Sequence, residues 1–314
     1  MIQLVHINSY KIDTALFSNL LHDPIIEEVE NNIAKYVGAK YCVLVSTATN
    51  AIFLCLKSLK ESVITNIPSL ITTRFLNYIL FSNCSYRFLD DVSWVGGSYI
   101  LYKNNNFKII DSAQKINPNQ FKEECNDNDI LIFSHYPTKP IGSLSGSCIV
   151  SNDKNKIDWI RQAAYFGESF STNSWEAKTD FKGWQMHSNS VNAWIINENF
   201  KKYPEKRAKL DYVRERYNVR FNTELKVTTN SYHLYRIRTK NNDIFVKKMY
   251  LEGIICGIHY KPAHLNPLYG KSISLPNSER DGKEVVSIPF HENLTDKEID
   301  LVIKNTMKYE RINI

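Results

Sequence analysis

The chain has 314 residues, 43% of them apolar and 23% charged, ordinary globular values that exclude extended disorder, and no apolar run approaches the ~20 residues a membrane-spanning helix needs. Lys+Arg 39 against Asp+Glu 33 leaves a net charge of +6. The basic residues are spread thinly, and their densest stretch, Lys201 to Arg220, also contains Asp211 and Glu215. Nothing resembles a basic stripe interleaved with stacking aromatics, so nucleic-acid binding is not expected, and a mild positive excess suits an anionic small substrate.

The first strong helical signal is Asp23-Pro24 followed by IIEEVENNIAKYVG. Asp23 can cap, Pro24 suits the first turn, Gly38 closes it, and Ile26, Val29, Ile33 and Tyr36 form one stripe. KYCVLV reads as a strand buried on both faces, and STATN opens a helix expected from Asn50. SVITNI, a TTRFLNYILF helix and SYRFLD continue the alternation, followed by the strands SYILY, FKIID, DILIFS and SCIVS. KIDWIRQAAYFG and residues 190–217 read as helices. Strands alternating with helices predict an α/β fold with a mostly parallel sheet and helices on both faces.

Beyond about residue 210 the pattern changes. SYHLYRIRT alternates as a strand, NDIFVKKMYLEG is helical with Gly253 at its end, EVVSIPF is a strand, and Thr295 to Glu298 is a capping box before a last helix. The expected division is a large domain over 1–210 and a small C-terminal α+β domain over 211–314. The six cysteines, at 42, 55, 84, 125, 148 and 256, form no CxxC pair, and MIQLVHINSY has neither a basic leader nor an apolar core segment. A reducing cytoplasm is the expected compartment, with no metal.

In an open parallel sheet, ligands bind beyond the carboxyl ends of the strands. Three such ends carry chemistry. Ser46-Thr47-Ala48-Thr49-Asn50 places hydroxyls at a helix N-terminus, where free amides favour a phosphate, although Ser and Thr are also ordinary caps. Asp111 follows FKII with Gln114 three residues on; a carboxylate there needs a partner, or serves as a helix cap. In FSHYPTKPIGSLSG, Ser134 and His135 end a strand and Lys139 lies in the loop beyond, where a lysine is normally solvated. Together, phosphate cradle, carboxylate and lysine are the parts of a pyridoxal 5'-phosphate site.

Nearly the whole chain resembles the DegT/StrS-type sugar aminotransferases, fold type I pyridoxal phosphate enzymes acting on nucleotide-linked keto sugars. IIEEVENNIAKYVGAKYCVLVSTATNAI is similar to the family's first helix, strand and Ser-Gly-Thr turn. IIDSAQ is similar to its Glu-Asp-x-Ala-Gln/His segment and FSHYPTKPIGSL to its Phe-Ser-x-x-x-x-Lys segment. GWQMH, SYHLYRIR, GIHYKPAHLNPLY, SLPNSE and SIPFHENLT complete the match. The resemblance implies a fold type I three-layer α/β/α sandwich and a homodimer that transfers an amino group from an amino acid, glutamate by analogy, to a nucleotide sugar.

Carried over residue by residue, the resemblance implies that Lys139 is the Schiff-base lysine, Asp111 the pyridinium partner and Gln114 a ring-contacting amide. Ala48, Thr49 and Ser134 would hold the phosphate, with Gln185 reaching it from the neighbouring subunit, and His259 and Tyr260 would contact substrate. Ala48 stands where the family has Gly, and Gln185 and His187 where it has Asn and Arg. Leu70 or Thr72 occupies the place of an aromatic that stacks on the cofactor, and the connection from Asp91 to Asp111 is shorter than the family's. The other reading is a non-catalytic descendant that binds cofactor or nucleotide sugar, against which the retained Lys139 and Asp111 argue.

Overall fold

The computed structural model describes residues 1–169, 176–222, 226–227, 231–270 and 273–309. Its centre is a five-stranded sheet in the order β1-β7-β6-β5-β4, made of β1 (Tyr41–Val45), β4 (Tyr99–Lys103), β5 (Lys108–Asp111), β6 (Ile130–Ser134) and β7 (Ser147–Ser151). A parallel pair, β2 (Ile64–Pro68) and β3 (Ser85–Leu89), lies beyond β4. Strand alternation sends side chains to two faces, and each face has its own helices. Val43, Ile109, Ile130, Ile132 and Ile149 pack against α2 (Ala48–Lys57), α3 (Leu76–Phe81) and α5 (Lys154–Ala164). Leu44, Ile110, Leu131, Phe133 and Val150 pack against α1 (Pro24–Val37), α4 (Gln120–Glu124) and the first half of α6 (Ser190–Arg220). The result is the expected three-layer α/β/α sandwich.

Within the central sheet only β5 and β6 pair in parallel, and the other three ladders are antiparallel, so it holds fewer parallel pairs than the mostly parallel sheet expected. β1, β5 and β6 run in one direction, and β4 and β7 run against them. The reversal of β4 has a physical cause. Only Asn104 to Phe107 separate it from β5, whereas a parallel pair needs a crossover of a dozen or more residues. Asn104 closes the hairpin, its Oδ1 accepting from the amides of Asn106 and Phe107 at 2.9 and 3.0 Å. The four-residue connection therefore makes β4 and β5 a hairpin with Tyr99 opposite Asp111.

As expected, Asp23 caps α1 through the amide of Ile25, and Gly38 ends it at φ +79°, a conformation that costs glycine little. A third core joins Leu210, Val213 and Tyr217 of α6 to Tyr235 and Ile237 of β8 (Tyr235–Arg238), α7 (Asn242–Leu251), Val286 and Ile288 of β9 (Val285–Ile288), and α9 (Asp296–Tyr309). α8 (Pro276–Glu284) runs into β9. The N-terminus belongs to this core, with Ile2 buried in it and bridged to Ile254. Thr295 and Glu298 form the anticipated capping box, the Thr295 amide donating to Glu298 Oε2 at 2.9 Å. Among the described residues, no helix is long and apolar enough to cross a membrane, and the six cysteines are unpaired.

Candidate active site

The carboxyl ends of β1, β5 and β6 open into one cavity of about 1050 Å³, closed on its far side by residues around His233 and His259. The turn after β1 enters helix α2 two residues earlier than the sequence pattern indicates, at Ala48, because Thr47 is the cap: its Oγ1 accepts from the Asn50 amide at 3.0 Å. Ala48 and Thr49 thus occupy the first turn, whose amides have no acceptor within the helix, and both line the cavity. Ala48 is outside the left-handed region, so the backbone here adopts its turn without glycine.

Asp111 ends β5 as a buried carboxylate. Its Oδ1 accepts from the Ala113 amide at 2.9 Å and its Oδ2 from the Tyr99 hydroxyl at 3.0 Å. Burial raises its pKa, while the two donors and the nearby charge of Lys139 oppose that rise. Among the described residues no cation forms a contact ion pair with it. Gln114 accepts from the Gly96 amide at 2.8 Å and donates to the Tyr260 hydroxyl at 3.0 Å, so one amide hydrogen of its nitrogen is left for a ligand.

Lys139 sits past β6 on a turn closed by its own amide, which donates to Tyr136 O at 2.8 Å. Desolvation pulls its ammonium down to about 8, outweighing the attraction of Asp111. Its Nζ lies 3.3 Å from Nε2 of His233, and burial next to Lys139 drives the His233 pKa well below its ordinary value, leaving that ring neutral and able to accept. His259, bonded through Nδ1 to Ser287 Oγ at 2.9 Å, is pushed down to about 4 by burial and then by Lys139 and Arg236. Ser134 also lines the cavity, its Oγ accepting from the Tyr136 amide at 3.3 Å.

The structure therefore brings Ala48, Thr49, Asp111, Gln114, Ser134, Lys139, His259 and Tyr260 to one cavity. Gln185 does not join them: it is exposed and bridged to Tyr165. His135 faces away, held by Ile141 O at 2.7 Å and Cys148 Sγ at 3.2 Å. Of the two residues at the expected aromatic position, Thr72 lines the cavity and Leu70 is buried in the core beside Pro262. Trp94 also lines the cavity, its indole parallel to the Tyr260 ring at a centroid distance of 6.3 Å. Tyr99, Trp94 and His233 were not singled out by sequence. Tyr99 could have been found from the four-residue turn, which sets it opposite Asp111; Trp94 and His233 carry no comparable signal.

A three-layer sandwich with a desolvated lysine, a buried carboxylate and a helix N-terminus converging at strand ends defines a fold type I transferase. The DegT/DnrJ/EryC1/StrS aminotransferase family profile matches residues 11–79 and 107–307; the chain belongs to this family and is an aminotransferase. The unmatched stretch contains β3, β4 and the hairpin turn. Over 367 aligned positions the chain is 24% identical to the UDP-4-amino-4,6-dideoxy-N-acetyl-beta-L-altrosamine transaminase of Campylobacter jejuni subsp. jejuni serotype O:23/36, covering 98% of this chain and 96% of that protein. Its fold is similar to that of the aminotransferase TlmJ from Streptoalloteichus hindustanus, at TM-score 0.80 and 20% identity over 98% of both chains. It is also similar to the protein Spr1654 from Streptococcus pneumoniae in its PLP form, at TM-score 0.77 and 17% identity over 93% of this chain and 92% of that one.

Proposed function

We propose that this protein uses pyridoxal 5'-phosphate, carried on Lys139, to transfer an amino group from glutamate to a nucleotide-linked keto sugar. The observation that carries the reading is the pairing, inside one cavity, of a lysine held near pKa 8 with a buried carboxylate that, among the described residues, has only neutral donors at contact distance. Such a carboxylate is suited to a protonated ring nitrogen. The donor set fits the cofactor elsewhere too, with the first turn of α2, Thr49 and Ser134 for the phosphate and Gln114 for the ring.

When bound, the cofactor supplies an electron sink next to the reacting carbon. The chain supplies the rest. Lys139 Nζ, close to neutrality in its pKa, takes and returns a proton at physiological pH. His233 Nε2 accepts from Lys139 Nζ and holds it in the cavity. Asp111, whose ionised form is favoured by the Tyr99 hydroxyl and the Ala113 amide, would pair with a protonated ring nitrogen, with Tyr99 aiming the carboxylate. Residues 1–210 would supply the cofactor-binding part and 211–314 the covering part, although Ile2 and Leu210 pack in the core of the latter. A symmetric dimer in the cytoplasm is the form in which Gln185 meets a partner's cofactor phosphate.

The test is direct. Purified protein with pyridoxal phosphate is reduced with borohydride and digested, and the pyridoxyl group is located by mass spectrometry. It is expected on Lys139. Mixing the unreduced holoenzyme with glutamate should then release 2-oxoglutarate in a single turnover, and later addition of a UDP-linked keto sugar should yield the amino sugar. A label on another lysine, or no 2-oxoglutarate, overturns the reading.

A further inference from the structure

Among the described residues that line the active cavity, three carry a positive charge and one a negative charge: Lys139, Lys261 and Arg74 against Asp111. The two histidines of its wall, His233 and His259, are kept neutral by burial and by neighbouring cations. Lys139 and Asp111 belong to the reacting centre. Lys261 is already paired, its Nζ 3.1 Å from both carboxylate oxygens of Asp243. Arg74 remains. It is exposed, and it makes no hydrogen bond or ion pair with another described residue.

The chain holds this arginine in place without engaging its charge. Arg74 sits in a single 3-10 turn, Thr73–Phe75, shortly after the carboxyl end of β2. Ile71 and Phe75 are buried in the core, Leu70 is bridged to Pro262, and the Ser69 carbonyl accepts from the Ala263 amide at 2.7 Å. The backbone is therefore fixed at both ends, and the three residues between the buried pair, Thr72, Thr73 and Arg74, all line the cavity. The Thr72 side chain makes no capping bond, and no acid stands among the three. The rim there offers two hydroxyls and a guanidinium, groups that donate to an anion.

We infer that Arg74 anchors the diphosphate of the nucleotide-linked substrate. The assignment rests on the proposed transaminase function and narrows it, naming the residue that meets this substrate's charge. Position decides among the anions of the reaction. The cofactor phosphate is served by the first turn of α2. The donor's α-carboxylate is bonded to the carbon whose proton Lys139 moves, so it stays beside that lysine. A diphosphate is separated from its reacting carbon by a sugar ring and lies farther out, toward solvent, where Arg74 stands at the mouth. The fork of a guanidinium meets phosphate oxygens with two parallel bonds, and a cation at the mouth also draws an anionic substrate in from solution.

The experiment measures binding of UDP and of uridine to the holoenzyme by calorimetry, in wild type, Arg74→Met and Arg74→Lys, alongside the KM for glutamate in the first half-reaction. Arg74 is exposed and bonded to no described residue, so all three proteins should fold alike. Loss of a charge-assisted contact to phosphate predicts a fall of at least about 10-fold in UDP affinity for Arg74→Met, with a smaller fall for Arg74→Lys. Uridine, which lacks the phosphates, should bind all three equally. Added salt should weaken UDP binding more in wild type than in Arg74→Met. A wild type that binds no UDP, or UDP affinity that survives in Arg74→Met, overturns the assignment; so does an equal loss for uridine, which would trace to the shape of the rim. A raised KM for glutamate with UDP affinity intact would give Arg74 to the amino donor and overturns it as well. If wild type binds UDP through Arg74 yet yields no 2-oxoglutarate from glutamate, the transaminase reading fails and the diphosphate site stands.

Discussion

Tyr99 and Asp111 face each other across the β4–β5 hairpin, phenol hydroxyl to carboxylate Oδ2 at 3.0 Å. The bond favours the ionised carboxylate in a place where burial favours the neutral acid. Tyr99→Phe removes one of two donors and pushes the Asp111 pKa higher still. The reaction needs the carboxylate form, so the acid limb of the glutamate half-reaction should move toward neutral pH by about one unit, the equivalent of ~1.4 kcal/mol. A pH-rate profile of the two proteins checks this; an unmoved limb means that Tyr99 does not tune Asp111.

Asp111→Asn should keep the cofactor bound yet slow the glutamate half-reaction by several orders of magnitude, since an amide does not hold a ring nitrogen protonated. Stopped-flow mixing with glutamate measures it, and near-normal turnover would remove Asp111 from this role.

Lys139 has a folded pKa lowered from 10.5 to about 8 by desolvation. Between those values the unfolded chain binds more protons than the folded one, so stability rises with pH there. Below pH 8 both states carry the charge and the full penalty of burying it remains. The cofactor-free wild type should therefore gain stability relative to Lys139→Met as pH rises from 8 to 10.5, read as the difference between their urea midpoints. A flat difference would mean that the cavity does not desolvate this lysine.

Much of this was legible beforehand because it rests on local pattern. Asp23, Pro24 and Gly38 fix α1 without tertiary help, and buried strands ending in Asp111 and Ser134 put chemistry at their carboxyl ends. The direction of β4 was also written in the chain, in the four residues from Asn104 to Phe107, but reading it required counting a connection rather than recognising a strand. The start of α2 was misplaced because Thr47, Thr49 and Asn50 are all good caps, and only packing selects Thr47. His233 was beyond reach. Alternation shows that SYHLYRIRT has two faces but not which one meets the cavity.

β1 is the edge strand of the sheet, and its outward backbone groups are covered by an ion pair. Glu30 Oε1 accepts from the Leu44 amide at 2.8 Å, Arg161 Nη2 donates to Cys42 O at 2.8 Å, and the two side chains meet at 2.9 and 2.7 Å. Such cover protects an edge that must present the Thr47–Thr49 turn. Arg161→Met leaves Glu30 buried and unpaired, at a cost of about 3 kcal/mol at neutral pH. Burial already raises the Glu30 pKa, so its protonation should shrink that loss as pH falls. Urea denaturation at two pH values tests both statements; a loss independent of pH would assign it to packing.

Gln185 lies at the surface, bridged to Tyr165 and next to Met186, whose carbonyl accepts from the Ser46 amide at 2.8 Å. It is outside the cavity of its own chain. If it serves a cofactor phosphate, that phosphate belongs to a second copy, and a two-fold axis then makes both sites composite. Cofactor affinity should fall on dilution through the dimer dissociation range, and Gln185→Ala should weaken it at all concentrations while leaving the light-scattering mass of the concentrated protein unchanged. The loss expected for one amide donor to a phosphate is ~1.5–3 kcal/mol, roughly 10- to 150-fold in affinity. Titration with pyridoxal phosphate alongside light scattering decides it: a monomer with full cofactor affinity, or a Gln185→Ala variant with wild-type affinity, would confine the site to a single chain.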